Sequence, residues 1–389
     1  MEENNYGNNS IVQYLMGASR IRYSVLDDFG LSNIKPNHIV LFIDLHNVLY
    51  RLFRNRDYAA IEHVPFEVIV KDLTVGMLNI AAHYRRYFYT RLNRSNDILF
   101  FFNRKLPEYQ KKYYSDFCNK IYARYDTKHK DFSVLAQALI EALKFAKSMV
   151  PYFTGVYFID NTGVDDFAAM KLFMDEPDYA DAYQIILTKN LYAAQLLQPN
   201  RVILFNARSK SYIIDHHSAY TKGVINNRKM TVSDRLIPEY LPLLWMVCGC
   251  ADINMKHTDY CRRIVDMCQF ADDLTKAGKL IPNTSPEYFL QLLETDCGMK
   301  GITDDAEELL NRYKALNINL AEKAISINQI KRFQEGLIEL YDQSSLETLN
   351  ENLSRISPDT ELIEINSLNM ARVHRPGAGD YNDIFNYSF

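Results

Sequence analysis

Five aspartates lie where an apolar run gives way to polar sequence, and these are the residues best suited to chemistry. Asp44 closes Ile39-Val-Leu-Phe-Ile43, Asp160 closes Val156-Tyr-Phe-Ile159, Asp165 and Asp166 follow Gly163-Val164, and Asp252 comes just after the apolar stretch Leu241–Cys250. Anionic oxygens are what a hard divalent cation such as Mg²⁺ or Mn²⁺ requires. A second kind of chemistry lies between Arg104 and Lys130, where eight Lys or Arg stand against three acids, Glu108, Asp116 and Asp126. Arg104, Lys105, Lys111, Lys112, Lys120 and Arg124 can neutralise phosphates, and the interleaved tyrosines, Tyr113 among them, offer faces on which bases stack. The same composition also describes a solvated helix face backed by core tyrosines. Asp215-His216-His217 is a third candidate, because histidines and carboxylates together bind Mn²⁺.

The elements that must position these residues follow from the hydrophobic pattern. Ile39–Ile43, Ile98–Phe102, Val156–Ile159, Ile185–Leu187 and Val202–Phe205 are continuous apolar runs, the signature of strands buried on both faces of a parallel sheet. Between them Phe66–Tyr87, Val134–Met149 and Asp166–Phe173 carry helical periodicity. The alternation predicts an α/β fold, a doubly wound and mainly parallel sheet with flanking helices and right-handed crossovers. In such sheets ligands gather at the carboxyl ends of the strands.

Beyond Arg235 the strand signal fades, and Leu241–Cys250, Asp259–Phe270, Asp304–Leu316 and Asn328–Tyr341 predict a C-terminal helical region. The organisation expected is an N-terminal extension (1–35), the α/β domain (36–235), the helical region (236–355) and a linker with an aromatic tail (356–389). In that tail Ile384, Phe385, Tyr387 and Phe389 are anchors that would suit a hydrophobic pocket on a partner. The formal net charge is −4, so contact with nucleic acid needs a local basic surface. The six cysteines are scattered and match no common zinc spacing, which favours reduced core thiols in a cytoplasmic protein. The polar, Asn-rich Met1–Ser10 is not a targeting peptide, and no apolar run is long enough to span a bilayer, so no membrane association is expected.

Taken in order, several blocks resemble the 5′-nuclease (flap endonuclease, PIN-like) family. Ile39–Phe53 resembles its opening strand–Asp–helix block, and the basic Tyr-containing segment after Asn103 resembles the passage for single-stranded DNA. Gly163-Val-Asp-Asp166 resembles the Gly-Val-Glu-Ala-Asp-Asp block, and Ile186–Asn200 the strand–Asp–Lys–Asp–helix block. Pro238–Asn254 resembles the helix that ends in Gly-Asp-Lys-Ser-Asp-Asn. The resemblance implies two-metal phosphodiester hydrolysis on a carboxylate cluster.

The departures from that pattern bear on the chemistry. Asp44, Asp165 and Asp166 match, but Asn103, Asn190, Tyr192 and Cys250 stand where the resemblance calls for acids, the Glu of the third block is missing near Gly163-Val164, and Asp252 is the one stand-in in the fifth. Losing about five of eight carboxylates leaves at most one poor site for a cation. The Gly-rich duplex-gripping motif is also missing after Asp252. The expected protein is therefore a catalytically degenerate 5′-nuclease-like chain with no cofactor or one weakly bound Mg²⁺ or Mn²⁺. It would bind DNA or RNA, or serve as an assembly subunit of replication or transcription machinery, with a protein partner such as a sliding clamp held by the tail. The Asn- and Tyr-rich composition points to a phage source. Two alternatives stay open. One is an active metal-dependent 5′-3′ exonuclease or flap endonuclease using Asp44, Asp160, Asp165, Asp166 and Asp252; the other is an Asp-His-His phosphoesterase around Asp215, whose usual Asp-x-Asp-Gly opening is lacking here.

Overall fold

The computed structural model describes residues 38–45, 95–103, 105–117, 155–206, 212–214, 237–260 and 267–335, with scattered helical positions between 66 and 88 and between 138 and 143. Its centre is a sheet of β1 (His38–Asp44), β2 (Ser95–Phe102), β3 (Val156–Asp160), β4 (Tyr183–Leu187), β5 (Val202–Asn206) and β6 (Tyr212–Ile214), in the order β3-β2-β1-β4-β5-β6. The first five strands run parallel, and β6 pairs antiparallel to β5 at the edge. Ile39 to Ile43, Ile98 to Phe101 and Ile185 to Leu187 are almost wholly inaccessible to water, which is why their sequence shows no alternation. Aromatic rings tie neighbouring strands together: Phe100 stacks on Phe158 at 4.9 Å between centroids, and Phe42 meets Phe101 at 6.0 Å.

The helices whose bounds lie among the described residues are α1 (Glu108–Tyr113), α2 (Asp166–Met174), α3 (Pro177–Ala180), α4 (Leu241–Cys248), α5 (Met267–Lys276), α6 (Pro286–Thr295), α7 (Ala306–Leu316), α8 (Ile318–Lys323) and α9 (Ile327–Glu335). One face of the sheet, carrying Val40, Phe42, Leu99, Phe101 and Ile186, shares a continuous apolar core with α2 and with Trp245, Phe289, Leu316 and Phe333 of the C-terminal helices. Every residue of α4 is buried, and the helix ends at Gly249, whose φ is +74°. A Cβ there would lie 2.5 Å from the carbonyl carbon of Lys256, so only glycine lets the chain turn back so closely. Among the described residues, no helix is long and apolar enough to cross a membrane.

The turn after α4 is held by one cation. Buried Arg312 of α7 donates through Nε to the carbonyl of Met246 at 2.7 Å and through a terminal nitrogen to the carbonyl of Lys256. Arg312→Met fills similar volume but leaves both carbonyls without that donor, and a stranded buried acceptor costs about 1–3 kcal/mol. The expected result is a loss of about 2–3 kcal/mol in urea unfolding. Stability equal to wild type would show that water replaces the guanidinium at no cost.

Candidate functional site

The strand order reverses at β1: successive strands step outward through β2 and β3, and β4 then returns to the opposite side of β1. The strand order therefore places a switch point between β1 and β4, the place where sheets of this kind open a crevice at the carboxyl ends of their strands. Asp44 is the last residue of β1, and Thr188 follows directly after β4. The two are joined, the Thr188 hydroxyl donating to Asp44 Oδ2 at 2.8 Å in a fully buried setting. The register puts the end of β2 beside Asp44, and the end of β3, Asp160, beside Phe102. Asp44, Asn103, Asp160 and Thr188 thus lie at the same rim of the sheet, at or just beyond the ends of their strands.

Asp165 caps α2, its Oδ1 accepting the amides of Phe167 and Ala168 at 3.0 Å each, and Asp166 opens the helix. Burial is the main force on both, and the charge of Asp44 adds to it. Together these push Asp165 up to about 7, against the two amides that pull it down, and hold Asp166 well above the usual carboxylate range. Asn161 offsets part of this for Asp166 by donating to its Oδ1 at 2.6 Å. Asp44, Asp165 and Asp166 are thus electrostatic neighbours. Asp160 turns away into its own loop, where Oδ1 accepts from the amide and hydroxyl of Thr162. Asp252 accepts the amide of Leu191 at 2.7 Å and so fastens the turn after α4 to the segment after β4.

The positions where acids are missing are occupied by residues with other tasks. Asn103, at the end of β2, donates to the carbonyl of Val164 at 2.7 Å, and its Oδ1 receives the amides of Gly163 and Lys105. A carboxylate there would face the Val164 carbonyl without a proton to share. Asn190 caps a 3₁₀ turn, Leu191–Leu196, through the amide of Tyr192. Tyr192 is fully buried, its ring 5.8 Å from Phe167, 6.1 Å from Trp245 and 6.3 Å from Phe117. No hydrogen bond of good geometry reaches its hydroxyl. Burial, then the nearby charges of Asp165 and Cys250, hold the phenol well above its ordinary range, although the amides of Gln110 and Gln195 lie close enough to offset a little of this. Cys250 is a buried thiol in a turn whose backbone pairs with Met255.

Among the described residues, no three His, Cys, Asp or Glu side chains are grouped so as to hold a metal ion. An aromatic ring and two amides engaged with backbone groups occupy the remaining positions.

The basic segment is present in part. Lys105, Lys111 and Lys112 are exposed and Tyr113 is half-buried on α1, directly beyond the rim of the crevice. Arg104, Lys120 and Arg124 lie outside the described residues, as do Asp215-His216-His217 and the tail with Ile384, Phe385, Tyr387 and Phe389. Thr188 and Asn161 are residues of the site that sequence reasoning missed. Thr188 lies within the block Ile186–Asn200 and Asn161 shortly before Gly163-Val-Asp-Asp166, but only the fold shows that Thr188 reaches Asp44 and Asn161 reaches Asp166.

No protein-family model matches the chain, and no curated protein matches it. Solved structures do. The T5 5′-exonuclease with bound zinc ions superposes with a TM-score of 0.50 at 12% identity, over 78% of this chain and 100% of that one. The bacteriophage T5 flap endonuclease in a pseudo-enzyme–product complex with DNA and metal ions gives 0.48 at 10% identity, over 82% and 98%. At such identity the likeness is one of fold: the chain has a 5′-nuclease-like α/β fold, that of metal-dependent 5′-nucleases, with helices following the sheet.

Proposed function

We propose that this chain is a catalytically degenerate 5′-nuclease-like protein of phage type, which binds nucleic acid and acts as a subunit of replication or transcription machinery. The observation that carries the reading is Tyr192: a fully buried ring, packed on Phe167 and Trp245, stands where the nuclease-like pattern calls for a metal carboxylate. The structurally similar T5 5′-exonuclease was solved with zinc ions bound. Here a scaffold of that shape keeps its basic approach to the crevice, the exposed Lys105, Lys111 and Lys112, while its ion-holding groups have gone over to structural duties.

Binding on this view needs no divalent metal. The full chain in EDTA is expected to bind single-stranded or 5′-flap DNA, and Lys111→Glu/Lys112→Glu to lower the affinity about tenfold or more at moderate salt. The slope of log K against log salt would become shallower by about two, one for each phosphate that is no longer neutralised. An affinity that the double variant leaves unchanged would remove α1 from the interface. Ile384, Phe385, Tyr387 and Phe389 are the proposed docking anchors for a protein partner such as a sliding clamp, a role that fails if the chain lacking 381–389 still binds that partner.

A second reading is favoured by the survival of Asp44, Asp165 and Asp166 as neighbours at the rim. On that reading they hold one Mg²⁺ or Mn²⁺ weakly and retain slow nuclease activity.

A further inference from the structure

The loop that leaves β3 is gripped by a helix from the far part of the chain. Arg332 of α9 donates through Nε to the carbonyl of Asp160 at 3.1 Å and through a terminal nitrogen to the carbonyl of Thr162 at 2.7 Å. Beside it Phe333 is fully buried and meets Phe173 of α2 at 6.4 Å between centroids. The guanidinium lies 5.7 Å from the centre of the Phe333 ring, so the two side chains form one hook on the end of β3. The first turn of α9 faces solvent instead, with Ile327 72% exposed. The helix is thus docked by its last turns.

The loop so gripped fastens several parts of the rim. The backbone amide of Asn161 donates to the carbonyl of Phe102 at 3.1 Å, and its side-chain nitrogen donates to the carbonyl of Val164 at 3.0 Å and to Asp166 Oδ1 at 2.6 Å. The amide of Gly163 reaches Asn103 Oδ1 at 3.1 Å, and the Gly163 carbonyl accepts the amide of Glu108, the first residue of α1, at 3.0 Å. One short loop therefore ties together the ends of β2 and β3 and the starts of α1 and α2. We infer that α9 is a strap: docked through Arg332 and Phe333, it positions the loop after β3, and with it Asn161 on Asp166 and the first turn of α1. When the strap lifts, both are released together. Arg332 is then a positioning residue, and its planar fork suits the task because it spans two carbonyls at once. Since α1 also carries Lys111 and Lys112, the strap sets where that basic helix stands relative to the aspartates.

The experiment is hydrogen–deuterium exchange of the full chain, resolved to single amides, in wild type, Arg332→Met and Arg332→Lys. Arg332→Met keeps the length of the side chain but donates nothing. It is expected to speed exchange about tenfold or more at the amides of Glu108, Asn161, Gly163 and Val164, each of which has its own acceptor away from Arg332. The amides of Ile185 to Leu187, in the middle of the sheet, should exchange as in wild type. Arg332→Lys keeps the charge but lacks the fork, so the same amides should be sped up by a smaller factor. Acceleration confined to 327–335 would overturn the strap and leave α9 as an end cap with no hold on the site. Equal acceleration at Ile185 to Leu187 would overturn it too, by showing a loss of stability shared by the whole sheet. Wild-type rates in Arg332→Lys would overturn the role given to the fork. No DNA enters the measurement, so its failure leaves the nucleic-acid reading standing, and a chain that binds no DNA still tests the strap.

Discussion

Tyr192→Asp, which restores the acid that the nuclease-like pattern calls for, is expected to abolish stable folding and to bring back no metal site. The ring it removes is fully buried against Phe117, Phe167 and Trp245, and truncating such a side chain costs about 3–5 kcal/mol before any charge is considered. The new carboxylate would then sit beside Asp165 in surroundings that already disfavour ionisation. A further ~2 kcal/mol or more is expected from that unpaired buried group. The sum is comparable with the ~5–15 kcal/mol that holds a typical domain together. Tyr192→Phe is the control. It deletes a hydroxyl that lacks a well-formed hydrogen bond and keeps the ring, so its stability should equal or slightly exceed that of wild type. Thermal melts of the two variants check both statements. A folded Tyr192→Asp that takes up Mn²⁺ would mean that the cavity still serves ions and that the ring merely fills it.

The second large effect concerns pH. Asp165 is pushed from 3.8 to about 7 by burial and by Asp44, so between those values the folded state holds a proton that the unfolded chain has released. Stability is then greatest below about pH 4 as far as this group is concerned, declines as pH rises, and is fully lost above about pH 7. From Asp165 alone, the protein should be about 2–3 kcal/mol more stable at pH 5 than at pH 8. Asp166, raised in the same direction, steepens the decline. Asp165→Asn keeps an oxygen to accept the amides of Phe167 and Ala168, because asparagine caps helices as well as aspartate does. It should raise stability at pH 8 and flatten the pH dependence between 5 and 8. Urea titrations at a series of pH values decide this. A divalent cation in the crevice would reverse the sign, since it stabilises the ionised carboxylates and makes the protein stronger as pH rises.

Much of the fold was legible because its strands are buried on both faces. Ile39–Ile43 is apolar at every position, and no amphipathic alternation had to be untangled. What the pattern missed is the pairing that extends strands into polar sequence. Ser95, Asn96 and Asp97 belong to β2 because His38, Ile39 and Val40 lie opposite them, and Gln184 is fully buried in β4 because its amide donates to the carbonyls of Met174 and Tyr179. The block Ile186–Asn200 resembles one in which a helix follows the strand, and the chain instead winds into a 3₁₀ turn, Leu191–Leu196, capped by Asn190.

The site was legible only where the residue type alone implies the role. Asp44 ends a wholly apolar strand, and Asp165 and Asp166 open the helix that follows β3, so their placement on one side of the sheet follows from topology. Thr188 and Asn161 are ordinary polar residues until the sheet brings them within hydrogen-bonding reach of Asp44 and Asp166. Asn103 and Tyr192 show the converse: the sequence marks them only as departures from the resemblance, and the structure gives what they do, one knitting β2 to the Gly163 loop and the other filling the core.

The most direct test is hydrolysis. The purified full chain is incubated with a 5′-flap DNA in Mg²⁺ and in Mn²⁺, and the strands are separated on a denaturing gel. On the proposed reading the substrate should stay uncut and still be retarded on a native gel. Cleavage that disappears in both Asp44→Ala and Asp166→Ala would contradict this and make the chain a working nuclease.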